Sequence, residues 1–259
     1  MGYFSKEVIE AAKAHARAEF PKESCGLVVS NKYVRCKNVA EDPLNDFQIE
    51  TSISSKAQMS GKLRGVFHSH PNGPYYPSMT DMKTQISMDI PWAIITLDEE
   101  RISDPIMWGD QLGIEPLVGR EFMHGVTDCY SIIRDAFRMG REEMKKQEMS
   151  EWPFPPIVLP EVARDDSWWK SDDDLYSTHF EKFGFKIVDL TDAKPGDVWL
   201  KSLGTRQTNP DGKLNHGGVL VSGDQILHHL PARTSGRAPS GLWMRSADLI
   251  IRYFGEVDA

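Results

Sequence analysis

Between residues 5 and 19, apolar side chains recur at Val8, Ile9, Ala12 and Ala16, the spacing of one helical face behind a Ser5 cap, and Pro21 ends the pattern. Two short apolar runs follow, 26–29 and 32–35, and the Ser30-Asn31 break between them predicts a hairpin. Residues 65–70 predict a buried strand, 80–88 a helix and 91–97 a second strand. This mixed order of helix and strand predicts an α+β or α/β fold.

Past Arg101 the periodicity fades through Asp104-Pro105 and Gly109 to Gly113, which places a boundary near residues 110–116. A helix is predicted over 121–139, preceded by a turn at His124-Gly125. The stretch 140–186 is polar and broken by Pro153, Pro155 and Pro156, yet it carries Trp152, Trp168 and Trp169, so it is expected to pack on the second domain. Short strands are predicted at 197–200, 218–221 and 225–228. The expected organisation is two domains, 1–112 and 113–259, the second reading helix first and sheet afterwards.

Composition narrows the function. A chain of 259 residues with 40% apolar content can supply two cores. Against 30 basic residues stand 38 acidic ones, a formal charge of −8, with no basic stripe to neutralise phosphates, so nucleic acid is not expected as a partner. Three cysteines, Cys25, Cys36 and Cys129, are too few for a disulfide framework and read as reduced thiols. The first residues carry Lys6, Glu7, Glu10 and Lys13, and no uncharged apolar run approaches ~18 residues; neither a signal peptide nor a membrane span is expected.

Two constellations carry chemistry. His68 and His70 lie two apart on a predicted strand, so both imidazoles share a face and can converge on one ion. Asp81, in the first turn of the next helix, can complete a three-ligand site with an open fourth position, the mark of a catalytic metal. Glu23, beside the first strand, is the candidate proton acceptor. Ser78-x-x-Asp81 is equally a helix-capping arrangement. In the second half, Cys129 follows Asp128 and precedes Ile132, Ile133, Ala136 and Phe137 on one helical face. A helix start favours thiolate over thiol, as a nucleophile requires, and Asp128 suits the cap. His216 opens an apolar strand and is the candidate base. A three-residue loop at 222–224 would put His228 on its face as the orienting group; a two-residue loop would select His229, and Gly223 suits the longer loop.

Taken together, Glu23-Ser-Cys-Gly26 and His68-Ser-His-Pro71, followed by Ser78-Met-Thr-Asp81, resemble the JAMM (MPN-plus) metallopeptidase motif. That resemblance implies a cytidine-deaminase-like α/β/α domain, one zinc ion on His68, His70 and Asp81, Glu23 as general base, and Ser78 at the developing oxyanion. The Asp128-Cys129 helix start, Pro195-Gly-Asp-Val198 and the His216 strand resemble the NlpC-type papain-like peptidases of peptidoglycan, with Cys129, His216 and His228 as the implied triad. Cys129-Tyr130-Ser131 and Gly217-Gly218 depart from that family's usual residues. The two halves in one chain resemble the tail-tip proteins of lambda-like tailed phages. This implies assembly in the host cytoplasm with other tail-tip proteins, residence in the virion, and cleavage of peptidoglycan peptides at the periplasm or processing of a tail protein. A structural assembly factor with little turnover and a JAMM-type deconjugase are the alternatives.

Overall fold

The computed structural model describes residues 2–165, 175–205 and 207–255, and divides the chain into two compact units, Met1–Gly113 and Ile114–Ala259. Trp168 and Trp169 lie outside the described residues.

The first unit opens with α1 (Lys6–Glu19), capped by Ser5, whose side chain accepts from the Val8 amide. Strands β1 (Cys25–Val29) and β2 (Lys32–Cys36) form the predicted hairpin; Ser30 and Asn31 both have positive φ, as a tight two-residue turn requires. Helix α2 (Thr51–Met59) leads to β3 (Leu63–Pro71), α3 (Met79–Met88), β4 (Trp92–Leu97) and β5 (Ile106–Trp108). The sheet order is β2-β1-β3-β4-β5, parallel only between β3 and β4, which α3 connects. Val8, Ala12 and Ala16 of α1 pack with Val28, Phe67, Ala93 and Ile95 into one core. Because Phe67 faces that core, its neighbours His68 and His70 face the opposite side of the sheet.

In the second unit the helix predicted over 121–139 starts later, as α4 (Cys129–Lys146). Gly125, at φ 77°, donates to Asp128 Oδ2 at 2.8 Å, closing a turn that keeps the preceding residues out of the helix. At Gly140 the helix is interrupted with φ 68°, where a Cβ would fall 2.4 Å from the Pro156 nitrogen. The strap 147–165 then runs back along α4: Ile157 N donates to Phe137 O (2.9 Å), Arg134 Nε to Leu159 O (2.7 Å) and Tyr130 hydroxyl to Pro160 O (2.6 Å). Trp152 is buried edge-on to Phe137.

Beyond the strap come α5 (Leu175–His179), β6 (Phe185–Ile187), β7 (Val198–Lys201), β8 (His216–Leu220), β9 (Gln225–His228), β10 (Gly236–Pro239), α6 (Ser240–Arg245) and β11 (Leu249–Tyr253). They build a sheet of order β10-β9-β8-β7-β11-β6 with antiparallel neighbours. The architecture is thus mixed α+β, one sheet to each unit. Ile132, Ile133, Ala136 and Phe137 of α4 pack with Val198, Leu200, Val219 and Leu227. Gly217 makes that approach possible: a Cβ there would meet Leu200 at 2.8 Å and Ile133 at 3.3 Å, which accounts for the glycine that follows His216.

Candidate active sites

On the face of the first sheet opposite α1, His68 Nε2 lies 3.0 Å from His70 Nε2 and 3.3 Å from Asp81 Oδ1, while His70 Nε2 lies 3.6 Å from Asp81 Oδ2. All three side chains are buried. Strand spacing supplies the two rings and the start of α3 supplies the acid. Ser78 caps that helix, accepting from Asp81 N at 3.1 Å while its hydroxyl donates to Asp81 Oδ2 at 2.7 Å. The hydroxyl therefore fixes the carboxylate as well as the helix. His70 Nδ1 donates to Pro74 O at 2.8 Å, which leaves a lone pair on Nε2 facing His68. His68 Nδ1 is buried with no partner among the described residues, and Phe47 stacks on its ring at 4.5 Å. Two imidazole nitrogens and a carboxylate oxygen converging from three buried side chains form a donor set that fits a divalent metal ion.

The electrostatics agree with that fit. Burial alone would push Asp81 up, but His68, His70 and Ser78 outweigh it and hold the carboxyl well below its usual range. Burial lowers His68, whereas on His70 the Asp81 bond and the Pro74 carbonyl overcome burial and raise it. Extending the antiparallel register in which Cys25 pairs with His68 sets Glu23 opposite His70. Burial, with Asp81 and Asp46, pushes Glu23 up to about 7, against the lowering influence of His70. A carboxyl at that value exchanges a proton readily near neutral pH.

In the second unit, Cys129 is the first residue of α4 and lines a cavity of about 130 Å³ together with Asp128, Arg164, Leu175, Asn215 and His216. The Tyr176 hydroxyl donates to Cys129 Sγ at 3.3 Å, and the Gly217 amide approaches the same sulfur. His216 Nε2 lies 3.2 Å from His228 Nδ1. The β8–β9 register, Leu220 opposite Ile226 and Gly218 opposite His228, is that of the three-residue loop, so His216 and His228 share a face. His229 points away, with Nε2 3.1 Å from Arg233 O and its ring against Phe122. Trp199 and Trp243 enclose the paired imidazoles, at 5.2 Å from His216 and 4.6 Å from His228 respectively.

The expectation of a thiolate at the helix start does not hold. Burial, reinforced by the Asp128 carboxylate, pushes the Cys129 thiol up to about 11 despite the bond from Tyr176 and the charge of Arg164. Burial and the neighbouring His228 and His229 pull His216 down to about 3. The resting thiol and the resting imidazole are therefore both neutral.

Residues 5–104 match the family of prokaryotic homologs of the JAB domain. The tail tip assembly protein K of Escherichia phage lambda is 30% identical over 202 residues, covering 76% of this chain and 85% of its own length. The chain belongs to the tail tip assembly protein K family. The phage N15 member of the tail tip assembly protein K family is 28% identical over 260 residues, covering 96% of this chain and 95% of its own. A probable TtuB-protein conjugate cleaving protease of Thermus thermophilus is 30% identical over 108 residues, 38% of this chain and 72% of that one. A Bacillus cereus NlpC/P60 family protein of known structure covers 96% of this chain and 67% of its own at 12% identity and a TM-score of 0.30.

Two side chains at the thiol site of this K-family chain escape sequence reasoning, Tyr176 and Arg164. Each reaches Cys129 or its cap across more than thirty residues, and no local spacing signals such a contact. Among the described residues of this family member no helix is long and apolar enough to cross a membrane.

The depressed imidazoles have a measurable consequence. A ring held neutral in the fold but free to protonate near 6.5 when unfolded contributes stability that is complete above pH 6.5 and declines as pH falls toward the folded value, about 3 for His216. The expected loss is ~1.4 kcal/mol per pH unit from His216 once below that point. Urea unfolding of the chain, followed by tryptophan fluorescence at pH 7.5, 6.5, 5.5 and 4.5, should show midpoints falling only below 6.5, with a shallower fall in His216→Gln. Equal slopes in the two proteins would refute the assignment.

Proposed function

We propose that this protein is a tail-tip assembly component carrying two peptide-bond hydrolases, and that its second unit cuts peptidoglycan stem peptides or cross-links as the tail penetrates the wall. Its partners are other tail-tip proteins, and its place in the virion is the tail tip. The observation that carries the reading is the enclosed His216–His228 pair at 3.2 Å, whose His216 lines one cavity with a cysteine at a helix start. In the tautomer this mechanism uses, His216 Nε2–H donates to His228 Nδ1, which leaves Nδ1 as the basic nitrogen of His216. As Cys129 Sγ attacks the carbonyl carbon, the thiol proton passes to His216 Nδ1. His216 then protonates the departing amine, and a water, deprotonated by the same ring, hydrolyses the thioester.

Tyr176 joins this chemistry. Its hydroxyl bond to the sulfur stabilises negative charge as the proton leaves. Tyr176→Phe is expected to lower kcat about 10-fold or more with little change in KM, the magnitude of losing one donor to a developing anion. An unchanged kcat in a folded variant would remove the residue from the mechanism. The digest that tests the whole reading incubates the full chain with purified peptidoglycan and looks for released peptides by mass spectrometry.

For the first unit, the fit of His68, His70 and Asp81 supports zinc as the resident ion. Bound there, zinc supplies Lewis acidity and lowers the pKa of water toward neutrality. Glu23 accepts the water's proton and returns it to the leaving amine, while Ser78 keeps Asp81 in place. The Thermus relative, a probable conjugate-cleaving protease, favours a protein conjugate as the substrate of this unit.

A further inference from the structure

Arg164 is 1% exposed, and none of the steps above uses it. Its guanidinium forks onto Asp128, Nε to Oδ2 at 2.7 Å and Nη2 to Oδ1 at 3.0 Å. Nη2 also donates to Ser131 Oγ at 2.6 Å and to Gly125 O at 3.4 Å. Nη1 holds Glu161 Oε1 at 2.6 Å and Val162 O at 2.7 Å, and the group lies 4.8 Å over the Tyr130 ring. Gly125, Asp128, Tyr130 and Ser131 are the turn, cap and first helical residues around Cys129. One side chain thus ties the nucleophile's whole turn to the strap.

Packing alone gives little reason for a cation here. Burying a guanidinium is costly, and apolar residues of similar volume replace buried ion pairs at no loss in many proteins. Asp128 supplies the reason. Its carboxylate meets five donors, from Gly125 N, Ser131 N, Ser131 Oγ and two arms of Arg164, and sits one residue from the thiol. An anion so near opposes thiolate formation, yet the cap it provides holds the helix start. The groups acting on the sulfur are Asp128 on its own element, Tyr176 from α5, the Gly217 amide from β8, and Arg164 from the strap, and His216 lines the same cavity. Of these Arg164 alone is permanently cationic. Asp128 raises the thiol and Arg164 lowers it.

We propose that Arg164 is a positioning residue of the thiol site, locking the turn that carries Cys129 and screening its sulfur from the Asp128 carboxylate. The proposal rests on the reading of Cys129 as nucleophile, but its test needs no substrate. Iodoacetamide alkylation of the full chain is followed against pH, with the Cys129 peptide resolved from those of Cys25 and Cys36 by mass spectrometry. Arg164→Met is expected to slow alkylation of Cys129 at pH 8 about tenfold, and the double variant Asp128→Asn/Arg164→Met to return it to within about threefold of wild type. A folded Arg164→Met within about twofold of wild type, or a double variant as slow as the single, overturns the proposal. Should Arg164→Met fail to fold, Asp128→Asn alone decides, since it keeps a cap oxygen and leaves Arg164 paired with Glu161. It is expected to speed alkylation severalfold; an unchanged or slower rate overturns the proposal. A wild-type chain that alkylates as expected but releases nothing from peptidoglycan would sink the peptidase reading instead.

Discussion

Cys129→Ala is expected to stop the release of stem-peptide fragments from peptidoglycan, a fall of about 10⁴-fold or more in rate, without unfolding the second unit. The magnitude follows from covalent catalysis, where removing the nucleophile costs nearly as much as removing the whole triad. Structural damage should be slight. The thiol is small, it sits where the core of the second unit borders the cavity, and alanine favours the first helical turn at least as well as cysteine does. The Asp128 cap, its bonds to Ser131 and the Arg164 clamp are all untouched by the change. His216→Ala should fall by a similar factor, because a thiol pushed up to about 11 keeps its proton at neutral pH unless a base takes it, and His216 is the base of the proposed mechanism. His228→Ala should lose less, since His216 keeps its Trp199 and Trp243 walls and loses only the group that fixes its tautomer. Wild-type protein that folds, alkylates at Cys129 and yet leaves peptidoglycan intact would remove the cell wall as substrate.

Sequence patterning revealed the elements whose faces differ sharply. α1, the β1–β2 hairpin, β3, α3 and β4 are readable from alternation, caps and turn residues, and so are the histidine face of β3 and the acid at the start of α3. α2 was not, because only Ala57 of Thr51–Met59 is buried and its polar residues run all round the helix. β5 and β6 are three-residue strands, too short for a period-two signal, and β10 ends in Pro239. The start of α4 was placed several residues early because apolar residues in 121–128 mimic a helical face, whereas the Asp128 cap and Gly125 turn decide where the helix begins. At the sites, short spacings exposed His68, His70, Asp81 and the His216–His228 parity. Glu23 has no short spacing to mark it, since only strand register brings it opposite His70. Tyr176 and Arg164 depended on tertiary closure alone. The thiol's protonation state differs from the sequence expectation because helix position and the adjacent Asp128 are visible in a sequence, while burial is not.

His68→Ala is expected to remove a stoichiometric zinc ion from the chain, measured by elemental analysis after dialysis at neutral pH; wild-type protein should hold one per chain. Three protein ligands with a hydrogen-bonded second ring nitrogen on His70 form a site organised before metal arrives, so little ordering opposes binding. At zinc a thousandfold above its Kd, linkage contributes about 4 kcal/mol to the first unit. Chelation should therefore lower the unfolding temperature of wild type by several degrees and leave His68→Ala unmoved. Asp81→Asn gives a finer check. It keeps the volume and can still accept from Ser78, but it loses the charge that burial would otherwise forbid and that His68 and His70 now hold. Zinc affinity should fall by a large factor while the fold persists. Cys129→Ala should retain full zinc, because its sulfur belongs to the other unit and none of the clustered donors is a cysteine. Wild-type chain that emerges metal-free from a zinc-supplemented preparation, with the first unit folded, would strike out the metal centre and leave Glu23, His68, His70 and Asp81 as a buried hydrogen-bonded cluster without its chemistry.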